Sequence, residues 1–496
     1  MGKRKSRCSE EAVEVIQTPA IKDVVVATER QEVEEQELFT STSIRKRHKK
    51  RKKYSSTSEE AVEAIKTPSI KDVVLVTERE EEEEEDEEKV FTSTSIRKQH
   101  KKKTRKTEFK EDARSRSSDR QWVFSSHDSS HLKDKVIIVS YNILGVANAA
   151  NHPDLYRNVS PKFLDWNLRK KLIRNELNEY TPSIICFQEV DRFSDLNHVM
   201  KLDGFEGVYK ARTGDAQDGC AIFWKKELFT IMQQDDIEFR MFDMRENVAQ
   251  FCVLKMNTSN SNDDEHTHLS QTKPTRYLLV GNIHGLFNPS RGDIKLGQIR
   301  LYIEKASTLS QEWGSIPVVL AGDFNSMPQS AIYQFLASSE LDIQLHDRRN
   351  MAGQIDNSLR WKTARSHWTY GNSWQMPIST PLRFSWSEQE LEIAAGSGKA
   401  TCLQHSLKLS SAYVGVPGTS STRDKHGEPL ATSYHSKFKG TVDYIWHTED
   451  LVPVGILETL PDNILRQTRG LPSEKWGSDH LAVVCELAFK DNDHET

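Results

Sequence analysis

From Lys135 onward the chain repeats one unit, and that unit limits what it can fold into. A short apolar run meets a polar residue at one end, and a helical stretch or a loop follows. Val136-Ile137-Ile138-Val139-Ser140-Tyr141 closes on Asn142, and Ile184–Phe187 closes on Gln188-Glu189. Between them, Phe163–Tyr180 carries Leu164, Leu168, Leu172, Ile173 and Leu177 at the spacing of one helical face. Thr181-Pro182 stops that helix. Cys220–Trp224 and Val248–Met256 read as strands, and Tyr277–Ile283 as a strand ending at His284. Ile294–Trp313 is a long helix and Ala331–Leu336 a short one. Pro317–Ala321, between them, is a buried strand running into Gly322-Asp323-Phe324-Asn325. Thr441–His447, which contains Asp443, and Leu481–Phe489, which follows Asp479-His480, are the last strands. Strands alternating with helices predict an α/β domain over 121–490. Residues 257–275 are polar and predict a surface loop. Residues 345–435 show little periodicity and predict long loops, with a Trp-containing insertion (Trp361, Trp368, Trp374, Trp386) over 357–400.

Strand ends are where a rigid sheet presents chemistry. A lone carboxylate there is usually a turn or helix cap. Six such places, all filled from Asn, Asp, Glu and His, are harder to read as caps. Glu189, Asp323, Asn325 and Asp479 are hard oxygen donors without a thiolate among them. Such a set suits Mg²⁺ or Mn²⁺ rather than zinc. A cation of that kind shares its ligands with substrate phosphate oxygens, so the matching substrate is a phosphate ester. His284 and His480 are then phosphate partners or acid/base groups. Asp443 is suited to orient an imidazole by hydrogen bonding. Residue types alone lead as far as a metal-dependent phosphoesterase.

Composition separates this domain from what precedes it. Residues 1–120 hold 29 Lys/Arg and 27 Asp/Glu, a net of +2; the remainder holds 39 and 46, a net of −7. So dense a charge cannot bury a core, and the first 120 residues are expected to be disordered. They contain a duplication, 9–53 against 58–106, in which Phe39–Lys46 returns as Phe91–Lys98. Two copies are too few for a solenoid. Each copy ends in a basic run, Arg45–Lys53 and Arg97–Lys106, of the kind that serves nuclear import or nonspecific phosphate contact. That predicts exposure to both nucleus and cytoplasm. Met1-Gly2-Lys3-Arg4-Lys5-Ser6 fits the loose myristoylation pattern, although a basic start is commonplace in charged tails. No apolar run approaches membrane-spanning length, which predicts no membrane partner. Six cysteines without a CxxC pair fit a reducing compartment.

The ordered words carry a resemblance. They are Ser140-Tyr141-Asn142, Phe187-Gln188-Glu189-Val190, Gly281-Asn282-Ile283-His284, Ala321-Gly322-Asp323-Phe324-Asn325-Ser326, Gly440-Thr441-Val442-Asp443-Tyr444-Ile445 and Ser478-Asp479-His480-Leu481. Together they resemble the endonuclease/exonuclease/phosphatase superfamily over about 135–490. Ser140–Leu144, Asn288-Pro289 with Asp293–Leu296, Leu407–Tyr413 and Phe438–His447 are similar to its deadenylase branch. That branch comprises plant-type carbon catabolite repressor protein 4 homologues, with nocturnin and angel as cousins.

The resemblance implies a four-layer α/β sandwich, two β-sheets flanked by helices. It implies a poly(A)-specific 3′-to-5′ exoribonuclease of mRNA turnover that uses one or two Mg²⁺ ions, Mn²⁺ being a possible substitute. Glu189 would hold the principal metal with Asn142 and Asp479. Asp323 and Asn325 would bind or orient the attacking water. His284 and His480 would meet the scissile phosphate, with Asp443 behind His480. Pro289 and Phe438 would pack on the terminal adenine of the RNA. Yeast-type members carry leucine-rich repeats ahead of the nuclease; none precedes it here, which leaves partnership with the NOT-containing complex open. The alternatives are a phosphatase of a nicotinamide dinucleotide phosphate or other small phosphoester, and an inactive RNA-binding scaffold.

Overall fold

The computed structural model describes residues 120–126, 129, 131–132, 134–257, 275–354 and 386–490, all within the unit that runs from Ala113 to Thr496. The tail duplication, residues 258–274 of the predicted surface loop and residues 357–385 of the Trp-containing insertion lie outside the described residues. In chain order the strands begin with β1 (Trp122–Phe124), β2 (Lys135–Asn142), β3 (Ile184–Gln188), β4 (Phe205–Ala211), β5 (Gly219–Lys225) and β6 (Phe229–Glu238). They continue with β7 (Val248–Met256), β8 (Tyr277–His284), β9 (Val318–Asp323), β10 (Glu340–Asp342), β11 (Cys402–Gln404) and β12 (Leu409–Ser411). The last are β13 (Ser433–His435), β14 (Phe438–Gly440), β15 (Asp443–Thr448), β16 (Leu451–Leu457) and β17 (Val483–Phe489). The helices are α1 (Val146–Asn151), α2 (Trp166–Tyr180), α3 (Phe193–Leu202), α4 (Gly292–Glu312), α5 (Ala331–Ser338), α6 (Glu388–Ala395) and α7 (Asp462–Gln467).

Two large sheets form. One has seven strands in the order β1-β16-β17-β2-β3-β5-β4, the other six in the order β12-β15-β9-β8-β7-β6. Alternation along each strand shows how they stack. In β8, Leu278 and Val280 join the cluster that also holds Ile138, Ile184 and Cys485 of the other sheet. Leu279 and Ile283 face the opposite way, onto Ile299, Tyr302 and Ile303 of α4. In β2, Val139 and Tyr141 turn outward onto Ile173 and Leu177 of α2. The order of layers is therefore helix, sheet, sheet, helix: the four-layer α/β sandwich. Strands buried on both faces need apolar residues at every position, which is why the central runs lack a polar alternation. At ~1.5–3 kcal/mol per fully buried side chain, the core between the sheets holds their strand ends in fixed register. Gly281 lets α4 approach β8: a Cβ there would meet Tyr302 Oη at 2.6 Å and Leu320 Cδ2 at 2.8 Å.

Two polar side chains join the sheets just below the strand ends. Gln188 Nε2 of β3 donates to Asn282 Oδ1 of β8 at 2.7 Å. Asn282 Nδ2 donates back to the carbonyls of Phe187 and Ala221 at 2.9 and 3.0 Å.

Several elements depart from the sequence expectation. The predicted helix over Phe163–Tyr180 is a 3₁₀ turn, Pro161–Leu164, and then α2, broken at Asp165. Asp165 is extended and accepts a hydrogen bond from the Leu168 amide, so it is the N-cap of α2 rather than a helical residue. The region expected to be loops over 345–435 contains α6. Ser387 and Glu390 cap α6 reciprocally, and Trp386 packs on the main core. No helix of the described residues is long and apolar enough to cross a membrane.

Candidate active site

The strand register brings one end of each sheet together. β8 and β9 are parallel with His284 opposite Asp323, and β15 runs antiparallel to β9 with Asp443 opposite Asp323. In the other sheet β2 and β3 are parallel with Asn142 beside Gln188. Glu189 and Asn325, each just past a strand, take left-handed backbone, φ +58° and +47°. Such backbone is costly outside glycine, and it gathers at functional sites.

Glu189 is held from three sides. Its Oε2 accepts from the Gly145 amide and from Asn148 Nδ2, both at 2.9 Å. Its Oε1 accepts from Asn142 Nδ2 at 3.1 Å. The same Nδ2 donates to Asp323 Oδ2 at 3.1 Å, so one amide spans the two sheets. Asn142 Oδ1 accepts from the Leu144 amide at 3.0 Å. Burial acts to raise the Glu189 carboxyl, but the His284 imidazole and the Asn148 and Asn142 amides together bring it below the usual range.

Asp323 is the centre. Its Oδ1 accepts from the Asn325 amide at 2.9 Å. Around its Oδ2 stand Asn142 Nδ2, His284 Nε2 at 3.6 Å and His480 Nε2 at 3.9 Å. At those distances the two imidazoles face the carboxylate without hydrogen-bonding to it. His480 Nδ1 lies 2.9 Å from Asp443 Oδ2, and Thr432 Oγ1 donates to that oxygen at 2.6 Å. With Nδ1 carrying its proton to Asp443, Nε2 faces the cleft. Burial lowers the His480 imidazole, yet Asp443, Asp479 and Asp323 around it carry it well above the ordinary histidine value. Asp479 is buried and accepts from the Tyr156 hydroxyl at 3.0 Å. Its carboxyl is raised by burial and then by the like charge of Glu189.

Asn325 is fixed at both ends. Its Nδ2 donates to the Gly285 carbonyl at 3.1 Å, and its carbonyl accepts from buried Lys295 Nζ at 2.6 Å. Burial lowers the Lys295 ammonium to about 7, against the pull of Asp323. Phe438 is half-buried, its ring centroid 6.0 Å from that of His435 and tilted 38° to it. Pro289 is half-buried on the loop after His284. The polar predicted residues thus form one connected web, and the Phe438 ring approaches it through His435. Tyr156, Asn148, Thr432 and Lys295 belong to the web and were not singled out as site residues. Tyr156 and Thr432 lie in loops and Asn148 in the short helix α1, and nothing in their own words marks them. Lys295 was visible only inside Asp293-Ile294-Lys295-Leu296.

The donor set fits a hard cation. Asp323, Asp443 and His480 each bring a ligand atom within 4.8 Å of the others and could hold a metal ion. Asp323 and Asp443 are cross-strand neighbours, an arrangement that is unfavourable for two like charges. Four carboxylates (Glu189, Asp323, Asp443 and Asp479) share the cleft with two imidazoles, so negative charge exceeds positive in a largely buried space. His284 Nδ1 is buried without a protein hydrogen-bond partner. Oxygen donors with surplus negative charge suit Mg²⁺-type chemistry.

A two-sheet sandwich carrying this acidic, histidine-flanked cleft between its strand ends is the frame of a metal-dependent hydrolase of phosphate esters. Residues 139–480 match the model of the Endonuclease/Exonuclease/phosphatase family, and the chain belongs to that family. It is 57% identical over 376 residues to carbon catabolite repressor protein 4 homolog 5 of Arabidopsis thaliana, covering 76% of this chain and 82% of that one. To homolog 3 of the same plant it is 45% identical over 372 residues, covering 75% and 79%. Among solved structures it is similar to ANGEL2, a 2′,3′-cyclic phosphatase, crystallised in complex with adenosine-2′,3′-vanadate. That match has a TM-score of 0.58 at 28% identity and covers 75% of this chain and 98% of that one.

Proposed function

We propose that the protein is a Mg²⁺-dependent 3′-to-5′ exoribonuclease that shortens poly(A) and releases 5′-AMP. The observation that carries the reading is the convergence on Asp323 Oδ2 of two imidazole Nε2 atoms, 3.6 and 3.9 Å away. Similarity to the carbon catabolite repressor protein 4 homologues supports RNA as the phosphoester. Glu189, Asp323 and Asp479 would hold one or two Mg²⁺ ions, or Mn²⁺ in their place. A bound ion polarises the phosphoryl oxygens and offsets their charge.

The side chains divide the remaining work. Asp323 keeps Oδ1 on the Asn325 amide, which leaves Oδ2 to take a proton from water. Asn142 holds Asp323 and Glu189 at fixed separation. Asp443 keeps His480 protonated and directs its Nε2–H at a phosphoryl oxygen, and His284 approaches from the other side. As the water oxygen bonds to phosphorus, the bond to the 3′-oxygen of the preceding nucleotide breaks. That oxygen takes a proton and 5′-AMP departs. Phe438 and Pro289 flank the terminal adenine; stacking of this kind is worth ~1–3 kcal/mol per base. The basic runs Arg45–Lys53 and Arg97–Lys106 suit import, with work in nucleus and cytoplasm.

Similarity to ANGEL2 favours a second reading, hydrolysis of a 2′,3′-cyclic phosphate at an RNA end. The test supplies the full chain and Mg²⁺ with oligo(A), mixed-sequence RNA, RNA ending in a 2′,3′-cyclic phosphate, and nicotinamide adenine dinucleotide phosphate. Stepwise loss of adenylates with release of 5′-AMP is the expected result. Opening of the cyclic phosphate with the chain length intact establishes the second reading. Phosphate release from the dinucleotide alone refutes both.

A further inference from the structure

The β13–β14 hairpin has two working faces. The active site uses one of them. Phe438 pairs with His435 across the hairpin. A Cβ on Gly440 would meet the Phe438 ring at 2.9 Å and Met327 at 3.5 Å. Phe438 and Gly440 therefore share a face, the one that His435 links to Asp479 and His480. Side chains alternate along a strand, so Lys439 points the other way, together with its cross-hairpin partner Tyr434.

On that second face lies a cleft of about 510 Å³, lined by Ser420, Ser421, Lys439, Asp462, Asn463 and Arg466 among others. Two cations share one carboxylate there. Lys439 Nζ and Arg466 Nε both reach Asp462, the latter at 2.6 Å, and the Arg466 side chain remains 65% exposed. Asp462 can neutralise only one of them, so the cleft keeps about one positive charge, beside serine hydroxyls and the Asn463 amide. The domain around it carries a net −7, and a polyanion needs a local offset to lie on such a surface.

We propose that this cleft binds a backbone phosphate of the RNA upstream of the scissile bond, with the strand bending over the hairpin from Phe438 to Lys439 and Arg466. The inference rests on the exoribonuclease reading and deepens it. The end nucleotide is held by the catalytic cleft, and a longer strand gains a second hold that a dinucleotide cannot reach. Contacts to phosphate position a strand without reading its sequence, so this hold is indifferent to base identity.

The test measures binding of fluorescein-labelled oligo(A) of twelve nucleotides to the full chain in EDTA, over a series of salt concentrations. Hydrolysis of ApA in Mg²⁺ is followed in parallel. Arg466→Ser should flatten the plot of log affinity against log salt by ~0.7, the value for one phosphate on a single strand, and leave ApA hydrolysis at the wild-type rate. Arg466→Lys should restore the slope. Asp462→Asn removes the competing carboxylate and should tighten binding, an effect opposite in sign to that of a structural lesion. Wild-type slope and affinity in Arg466→Ser, or weaker binding in Asp462→Asn, overturns the proposal. Failure of the exoribonuclease reading looks different. The wild-type chain then leaves ApA and oligo(A) uncut, while the salt slope on a mixed-sequence oligonucleotide still responds to Arg466→Ser.

Discussion

Arg120 precedes the domain boundary expected at residue 121, yet its side chain is fully buried within the sandwich. Its Nε donates to the Glu458 carbonyl at 2.8 Å and its Nη2 to the Ala482 carbonyl at 2.6 Å. Its Nη1 reaches Glu176 Oε1 and the Tyr180 hydroxyl, both at 3.1 Å. Glu176, itself buried, also accepts from Tyr141 at 3.0 Å and Tyr180 at 2.7 Å. Replacing Arg120 with Ala in the full chain leaves that carboxylate without its cation, and breaking a buried pair from one side costs ~3–5 kcal/mol. Burial raises the Glu176 carboxyl and Arg120 opposes the rise, so the variant raises it further. A carboxyl raised in the folded state takes up a proton there before the unfolded chain does. The deficit against wild type is therefore largest at neutral pH and shrinks as pH falls toward the ordinary value of 4.5. Urea unfolding followed by fluorescence at pH 7.5 and pH 5 reads both effects. Glu176→Gln added to Arg120→Ala should recover part of the loss. Equal midpoints for wild type and Arg120→Ala at pH 7.5 would refute the reasoning, and so would a deficit independent of pH.

Other outcomes follow from the same geometry. Asp443→Asn removes the acceptor that keeps the His480 Nδ1 proton in place; hydrolysis should fall ~10²–10⁴-fold, the range for a lost acid/base contribution, with circular dichroism unchanged. Gln188→Leu leaves the Asn282 amide oxygen without its 2.7 Å donor between the sheets, at a cost of ~1–3 kcal/mol, measured as a lower urea midpoint. Glu428 is buried, with the Tyr333 hydroxyl 2.7 Å away, and its carboxyl is pushed up to about 7. Its folded form holds a proton that the unfolded chain has lost, so stability falls as pH rises from 4.5 to 7, by about 3 kcal/mol for this group. Glu428→Gln should flatten that part of the stability–pH curve, and an unchanged curve would contradict the assignment.

The candidate site was legible in the chain because its residues stand at strand ends. Asn142, Glu189, His284, Asp323, Asp443 and Asp479-His480 stand where apolar runs begin or end, and two sheets packed face to face bring those ends together. The supporting contacts were less legible. Tyr156 reaches Asp479 from a loop, and Asn148 reaches Glu189 from the six-residue helix α1, too short for its spacing to carry a signal. Thr432 lies in the stretch over 345–435 that reads as long loops, yet it fixes Asp443. Asn142 shows the limit of residue type: its amide can offer oxygen or nitrogen, and only the positions of Glu189 and Asp323 decide that nitrogen faces them. The strands β4 and β6 escaped notice because FEGVYKA and FTIMQQDDIE mix polar residues into edge strands, each exposed along part of its length. Helix α6 was missed despite its Ser387-to-Glu390 cap, since only Leu391 and Ala394 of its eight residues are buried.

The central claim is that a cation held by the carboxylate cleft lets this chain remove adenylates one at a time from an RNA 3′ end. The most direct measurement is time-resolved electrophoresis of 5′-labelled oligo(A) with the full chain in Mg²⁺, alongside Glu189→Ala and an EDTA control. The expected result is a ladder shortening by single nucleotides, 5′-AMP as the product, and loss of both in EDTA and in Glu189→Ala. Shortening that persists in Glu189→Ala, or an intact ladder with wild-type protein in Mg²⁺, would contradict it.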